Sequence, residues 1–337
     1  MSKKVVVFGA TGNLGAHIST HLKKLGYDVI AVGHRANDNG FFADYGMPYY
    51  SVNIENAADF DKLPQEGVYA VVHFAGMLPA VMEGFSATPY IQSIIQGTFN
   101  VLEYTRKSGA ERILFPQTLF DIHHLFGTKT PISPDAERKV PEGDHWIYVI
   151  AKNAACDMIQ HYYREYGIKR FMIRLSRIYL YHPNPYTFTD GKKVMVSDRK
   201  LIYKAMRGEK IEVWGDPNRI LETICIDDFL QIIEKALVAD TDGGFYNVGS
   251  GGTTLEERVR GIVDVFSPEG NKSEIVYCPE KQDCTQFVLD IEKTKRELGY
   301  EPRYSWKDYL LKFKETMETQ PFAKIWGREE DYFNGEL

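Results

Sequence analysis

Short, nearly continuous apolar runs punctuate the first half of the chain: Val5-Val6-Val7-Phe8, Val29-Ile30-Ala31-Val32, Val71-Val72-His73-Phe74, Ile113-Leu114-Phe115 and Phe171-Met172-Ile173. Runs this short, rich in β-branched and aromatic residues and lacking polar alternation, predict strands buried on both faces. Between the first two, Leu14, Ile18, Leu22 and Leu25 recur at helical spacing, and Gly26 ends the helix. Strands alternating with helices in this way predict a parallel sheet covered by helices. Phe245-Tyr246-Asn247-Val248 reads as one more buried strand, which would return the chain to the same sheet.

After Tyr179 the pattern loosens into Pro- and aromatic-rich sequence (His182-Pro183-Asn184-Pro185-Tyr186), the texture of loops that shape a pocket. We read 1–178 as a dinucleotide-binding domain with a return strand near 245–248. Residues 179–337 read as mainly a substrate-binding lobe, with 224–250 partly returning to the first domain. The tail 321–337, with Trp326, Tyr332, Phe333 and several acids, predicts either docking on a neighbouring subunit or a frayed end.

Composition narrows the class without choosing within it. With 44% hydrophobic and 26% charged residues over 337 positions, the chain is an ordinary globular protein of one large or two interlocked domains. A net charge of −6 offers no field for nucleic acid or an anionic membrane. The apolar run after Met1-Ser2-Lys3-Lys4 is too brief for a signal peptide or a membrane span, so a cytoplasmic protein is expected. Cys156, Cys225, Cys278 and Cys284 show no C-x-x-C spacing and read as reduced structural thiols.

Gly9-Ala10-Thr11-Gly12-Asn13-Leu14-Gly15 follows a predicted strand and opens a predicted helix, the context of a phosphate-binding turn. Such a turn needs glycine where the chain bends, where backbone meets pyrophosphate and where helix packs on strand; the helix N-terminus then faces the negative charge. The second strand ends Val32-Gly33-His34-Arg35, where a site for NAD usually places an acid on the ribose hydroxyls. Arg35 with His34 suits a 2′-phosphate instead, so NADP is favoured over NAD. Asn53 and Ile54, after a third strand, are placed at the adenine.

Tyr148-Val149-Ile150-Ala151-Lys152 begins a helical segment, and the i, i+4 separation puts Tyr148 and Lys152 on one face. An adjacent ammonium favours phenolate, which makes the phenol a usable acid and base. Y-x-x-x-K alone carries little weight in a chain with 21 tyrosines; its place after the glycine turn gives it meaning. Thr118, just after the fourth strand, is the candidate hydroxyl that holds the substrate oxygen. His17 and His21 share a helix face at metal-compatible spacing, but no third ligand is apparent and a solvated face is expected, so no metal site is read.

These residues resemble the extended short-chain dehydrogenase/reductase family, in particular its NAD(P)-dependent nucleotide-sugar epimerases, dehydratases and reductases, over nearly the whole chain. Gly9, Gly12 and Gly15 match its glycine motif, and His73-Phe74-Ala75-Gly76 looks like its H-x-A-A segment under the cofactor. Gly97-Thr98 matches the G-T of the following helix, and Tyr148 and Lys152 occupy its active-site motif. Arg174 through Tyr179, Trp214-Gly215-Asp216, Ile226-Asp227-Asp228, Tyr246-Asn247-Val248-Gly249-Ser250 and Lys295-Arg296-Glu297-Leu298-Gly299-Tyr300 follow in the family order. The resemblance implies an α/β fold, a Rossmann-type doubly wound parallel sheet with a smaller C-terminal α/β substrate lobe. It also implies a homodimer through a four-helix bundle formed by the helices around 90–104 and 153–166, with Phe74, Ala75 and Gly76 under the cofactor and Met77 beside the substrate.

The departures bear on substrate. After Thr118, where the family's sugar dehydratases place Asp and Glu, stand Leu119 and Phe120, which disfavours dehydration. Ile94 and Arg177 occupy positions where Asn is usual, and Leu221 followed by Glu222 replaces the Arg expected at a nucleotide diphosphate, leaving Arg219 and Arg177 as candidate phosphate ligands. The expected activity is an epimerase or keto-reductase acting on a nucleotide-activated sugar, with Tyr148 as acid and base. A reductase of a non-sugar carbonyl compound and a non-catalytic dinucleotide sensor remain the alternatives.

Overall fold

The computed structural model describes residues 2–79, 85–143, 146–189 and 191–333. Its centre is a sheet of seven strands: β1 (Lys4–Phe8), β2 (Asp28–Gly33), β3 (Tyr49–Ser51), β4 (Val68–His73), β5 (Arg112–Gln117), β6 (Lys169–Leu175) and β7 (Gly243–Val248). All pairings are parallel and the order is β7-β6-β5-β4-β1-β2-β3. The apolar runs explain it. In β1, Val5 and Val7 enter one core with Val29, Ala31, Ala70 and Val72, while Val6 and Phe8 enter the other with Ile30, Val32 and Val71. A strand buried on both faces has no polar side to expose, so helices must cover both.

On the first face lie α1 (Asn13–Lys24), through Ala16, Ile18 and Leu22, and α4 (Ile226–Val238), through Phe229, Ile232, Ile233 and Leu237. On the second lie α2 (Gly97–Lys107) and α3 (Trp146–Tyr166), through Val101, Leu102, Val149, Ala155 and Ile159. The order in which strands are added to the sheet reverses between β1 and β4, and the crevice beyond the C-terminal ends of those two strands is where doubly wound sheets bind ligands.

Beyond β6 the chain builds small paired strands: Arg177–Tyr179 with Thr223–Cys225, Ile211–Trp214 with Ile275–Cys278, and the hairpin Tyr186–Thr189 with Lys192–Met195. They are flanked by α5 (Leu255–Phe266) and α6 (Trp306–Thr319), each opened by a capping box, Thr254 with Glu257 and Ser305 with Asp308. The four cysteines are free thiols. Among the described residues no helix is long and apolar enough to cross a membrane.

Two expectations need correction. The tail does not fray: up to Phe333 it folds back on its own chain. Phe322 and Trp326, 7% and 4% exposed, pack on His17, and Phe322 also on Phe41, because two large apolar surfaces gain more by leaving water than the short segment loses in ordering. For the same reason the His17/His21 face is not solvated: His17 lies under those rings, and His21 sits 3.4 Å from Glu234 of α4.

Candidate active site

The crevice at the switch between β1 and β4 opens into a cleft of about 620 Å³. Gly9, Thr11, Gly12, Asn13, Leu14, Gly15, His34, Arg35, Asn53, Ile54, Phe74, Ala75, Gly76, Met77, Tyr148 and Lys152 all line it. One end is a cradle of glycines. Gly9 has φ +82° and passes so close to Phe74 that a Cβ would stand 2.7 Å from its carbonyl carbon; a Cβ at Gly15 would stand 2.0 Å from the Gly9 oxygen. Any side chain there would push the strand off the helix. No side chain caps α1, so its first-turn N–H groups remain for a ligand's oxygens. These features fit the pyrophosphate of a dinucleotide.

In the same lining the Asn53 N–H donates to Asp59 at 2.8 Å and the Asn53 side chain accepts from the Glu55 N–H at 3.1 Å, which fixes that loop. Glu55, also in the lining, was not anticipated. Arg35 donates to the main-chain oxygen of Ile325 in the returning tail.

At the other end α3 presents Tyr148 and Lys152, 7% and 5% exposed. Lys152 Nζ donates to Pro116 O at 2.8 Å and lies 5.8 Å from the Tyr148 ring centroid. Burial pushes the Tyr148 phenol well above its ordinary value, opposed by its hydrogen bond with Thr118. Burial likewise lowers the Lys152 ammonium to about 8. Both shifts favour the uncharged forms, so proton transfer here depends on charge arriving with ligands. His73, wholly buried beneath the cleft, is held neutral by burial, its pKa down at about 3, with Nε2 3.0 Å from Thr98 Oγ1.

A polar network not foreseen from sequence supports this end. The Gln117 side-chain oxygen accepts from the Thr118 N–H at 3.0 Å, and its Nε2 donates to Asn153, the residue after Lys152, at 2.8 Å and to Asp121 at 3.0 Å. Asp121 is gripped in turn by Arg174. Across the cleft, a π-helical turn at Ile91–Gln96 aims Ser93 inward, where its oxygen accepts from the Met77 N–H at 2.9 Å.

Arg177 and Arg219 stand outside this lining. Arg177 pairs with Asp198 at 3.3 Å, Asp198 also binding Arg258 at 3.0 Å, and Arg219 pairs with Asp283. Glu222 is 2% exposed and accepts N–H groups of Ser250, Gly251 and Leu289 at 2.9, 3.1 and 3.3 Å, so this corner is an acid tied to backbone.

Residues 5–249 match the model of the NAD dependent epimerase/dehydratase family. Among its relatives, a putative UDP-glucose 4-epimerase of Methanocaldococcus jannaschii is 24% identical, over 90% of this chain and 95% of that one. The dTDP-glucose 4,6-dehydratase of Neisseria meningitidis is 22% identical over 92% of each. In fold, the chain is similar to the UDP-glucose 4-epimerase of Thermotoga maritima solved with UDP-glucose, at TM-score 0.73 and 22% identity over 94% of this chain and 99% of that one. It is also similar to a Bordetella bronchiseptica enzyme in complex with NAD, at TM-score 0.72 and 18% identity over 100% and 98%.

Proposed function

The chain belongs to the NAD dependent epimerase/dehydratase family, and from that premise we propose that it is an epimerase acting on a nucleotide-activated sugar, with Tyr148 as acid and base. One observation carries this reading: Tyr148 and Lys152, buried together on one face of α3, stand at one end of a cleft whose other end is the glycine cradle. The fold neighbour holding UDP-glucose and the epimerases among the relatives favour the substrate class.

The glycine turn, Arg35 and Asn53 hold the dinucleotide, Lys152 steadies its nicotinamide ribose, and the dinucleotide, when bound, supplies the hydride acceptor and donor. Tyr148, as phenolate, takes the proton from a sugar hydroxyl while the hydrogen on that carbon leaves with its electron pair. Thr118 holds the oxygen as it becomes a ketone. Tyr148 would then return its proton to the oxygen of the turned sugar, so that a hydride supplied on the opposite face would leave the centre inverted. Leu119 and Phe120 supply neither acid nor base, so elimination of water has no agent here.

A second reading is net reduction of a keto sugar with NADPH, favoured by Arg35 and the lack of an acid after β2. A homodimer through the outer faces of α2 and α3 completes the proposal, supported by exposed apolar residues there. Incubating the protein with nucleotide sugars while following the absorbance of reduced cofactor separates the readings. An epimerase interconverts sugars with no net change, whereas loss in proportion to product establishes reduction. No turnover and no binding of any nucleotide sugar would sink both.

A further inference from the structure

Trp326 reaches the phosphate cradle from behind. Its indole Nε1 donates to the main-chain oxygen of Thr11 at 3.0 Å, a buried bond across 315 positions of sequence. Thr11 lies between Gly9 and Gly12, and the orientation of its peptide sets where the next N–H groups point. One residue earlier, the Ile325 carbonyl accepts from Arg35, and the Lys324 carbonyl accepts from Asn39 at 2.7 Å. Thr11 and Arg35 both line the cleft.

The segment is itself anchored on the second lobe. The His182 ring stacks against Trp326 with centroids 4.8 Å apart. The Glu329 carboxylate accepts from the hydroxyls of Tyr203 and, at 2.7 Å, of Tyr181, and lies 3.5 Å from the buried Arg199. The Tyr332 hydroxyl donates to the Trp326 carbonyl. A segment seated at both ends holds its middle in place.

We propose that Trp326 and Ile325 are positioning residues of the dinucleotide site, Trp326 acting through Thr11 and Ile325 through Arg35. The indole is the partner of a buried carbonyl, so it holds the Thr11 peptide in one orientation. A turn tied from behind samples fewer conformers before binding, and the ordering cost left for the ligand falls. A guanidinium fixed on one donor keeps its remaining donors aimed at the adenosine ribose. The inference rests on reading the cleft as the dinucleotide site.

The test titrates NADH and NADPH into the wild-type chain and Trp326→Phe, which removes the indole N–H and keeps an aromatic ring in the packing. Expected is a rise in both dissociation constants of about three- to tenfold, with the ligand-free fold kept though its melting temperature falls by the loss of one buried hydrogen bond. The KM for dinucleotide rises in step and kcat at saturating dinucleotide is unchanged. Unaltered dissociation constants overturn the inference and leave the reading of the cleft standing, whereas failure of the wild type to bind overturns both. Should the variant misfold, amide exchange in the wild type decides. By reciprocity, dinucleotide must slow exchange across 322–327, and an unchanged rate there overturns the inference.

Discussion

Asp121 and Arg174 face each other as a two-pronged ion pair, Nε on Oδ1 and Nη2 on Oδ2 at 2.9 Å each, with both side chains 0% exposed. The remaining arginine donors reach Pro134 O at 2.9 Å and Asn247 Oδ1 at 3.0 Å. Removing one partner strands a buried charge, and such losses run about 3–5 kcal/mol. Asp121→Ala is therefore expected to lose that much in urea denaturation. The double variant Asp121→Leu with Arg174→Met recovers most of it, because neither charge is then left alone. A single variant as stable as wild type would show the pair to be dispensable.

The same pair bears on chemistry through Gln117, which it orients and which links Thr118 to Asn153 beside Lys152. Tyr148→Phe removes the proton carrier without emptying its packing site. Turnover should fall by about 10²–10⁴-fold while the dissociation constant for dinucleotide stays within about twofold. Thr118→Val should lower kcat less. Retention of wild-type turnover by Tyr148→Phe would support the non-catalytic sensor.

In the proposed reading Arg35 sets the cofactor preference. Arg35→Ala should weaken NADPH roughly tenfold or more, the worth of a charge-assisted contact to phosphate, and change NADH far less. Equal weakening of the two, measured by titration, would remove the case for NADP.

Much of this architecture was legible in the chain. The apolar runs at Val5, Val29, Val71, Ile113 and Phe171 all became central strands, because a strand with no polar side can only lie between two layers. The glycine turn and the Tyr148/Lys152 face were legible because both are local: their geometry follows from spacings of three and four residues. Gln117, Asp121 and Arg174 were not, since their link depends on β5 and β6 lying side by side, which sets Gln117 directly opposite Arg174. The tail was misjudged for the same reason. Nothing near Trp326 shows that Thr11 waits for it, and only the folded chain brings His17 beneath its ring.

The outer faces of α2 and α3 leave Phe99 43% exposed and Ile150 39% exposed, with Trp146 at 48% and Ile91, in the turn before α2, at 44%. Apolar residues grouped in this way are what the proposed second copy would cover. Sedimentation should give twice the 38.6 kDa chain mass for the wild type and a monomer for Phe99→Asp with Ile150→Asp. A wild-type monomer at micromolar concentration would end the dimer proposal.

Acid should loosen the tail before the sheet. Burial lowers His17 from 6.5 to about 3, aided by Lys312, Lys24 and His182. Burial lowers His182 to about 4, partly opposed by a backbone hydrogen bond with Asn184 and aided by Arg199 and Arg35. Both rings are thus neutral when folded and take up a proton near 6.5 when released. Below 6.5 the unfolded chain binds protons that the folded chain refuses, so stability is fully present above that value and drains away as pH falls towards 4 and 3. Between pH 7 and 5 the loss from His17 should be about 1–2 kcal/mol. His17→Phe keeps a ring against Phe322 and Trp326 but removes the proton site, so its stability should fall less steeply over that window. Urea denaturation at a series of pH values, followed by tryptophan fluorescence, measures both slopes, and equal slopes would show that His17 does not couple the tail to pH.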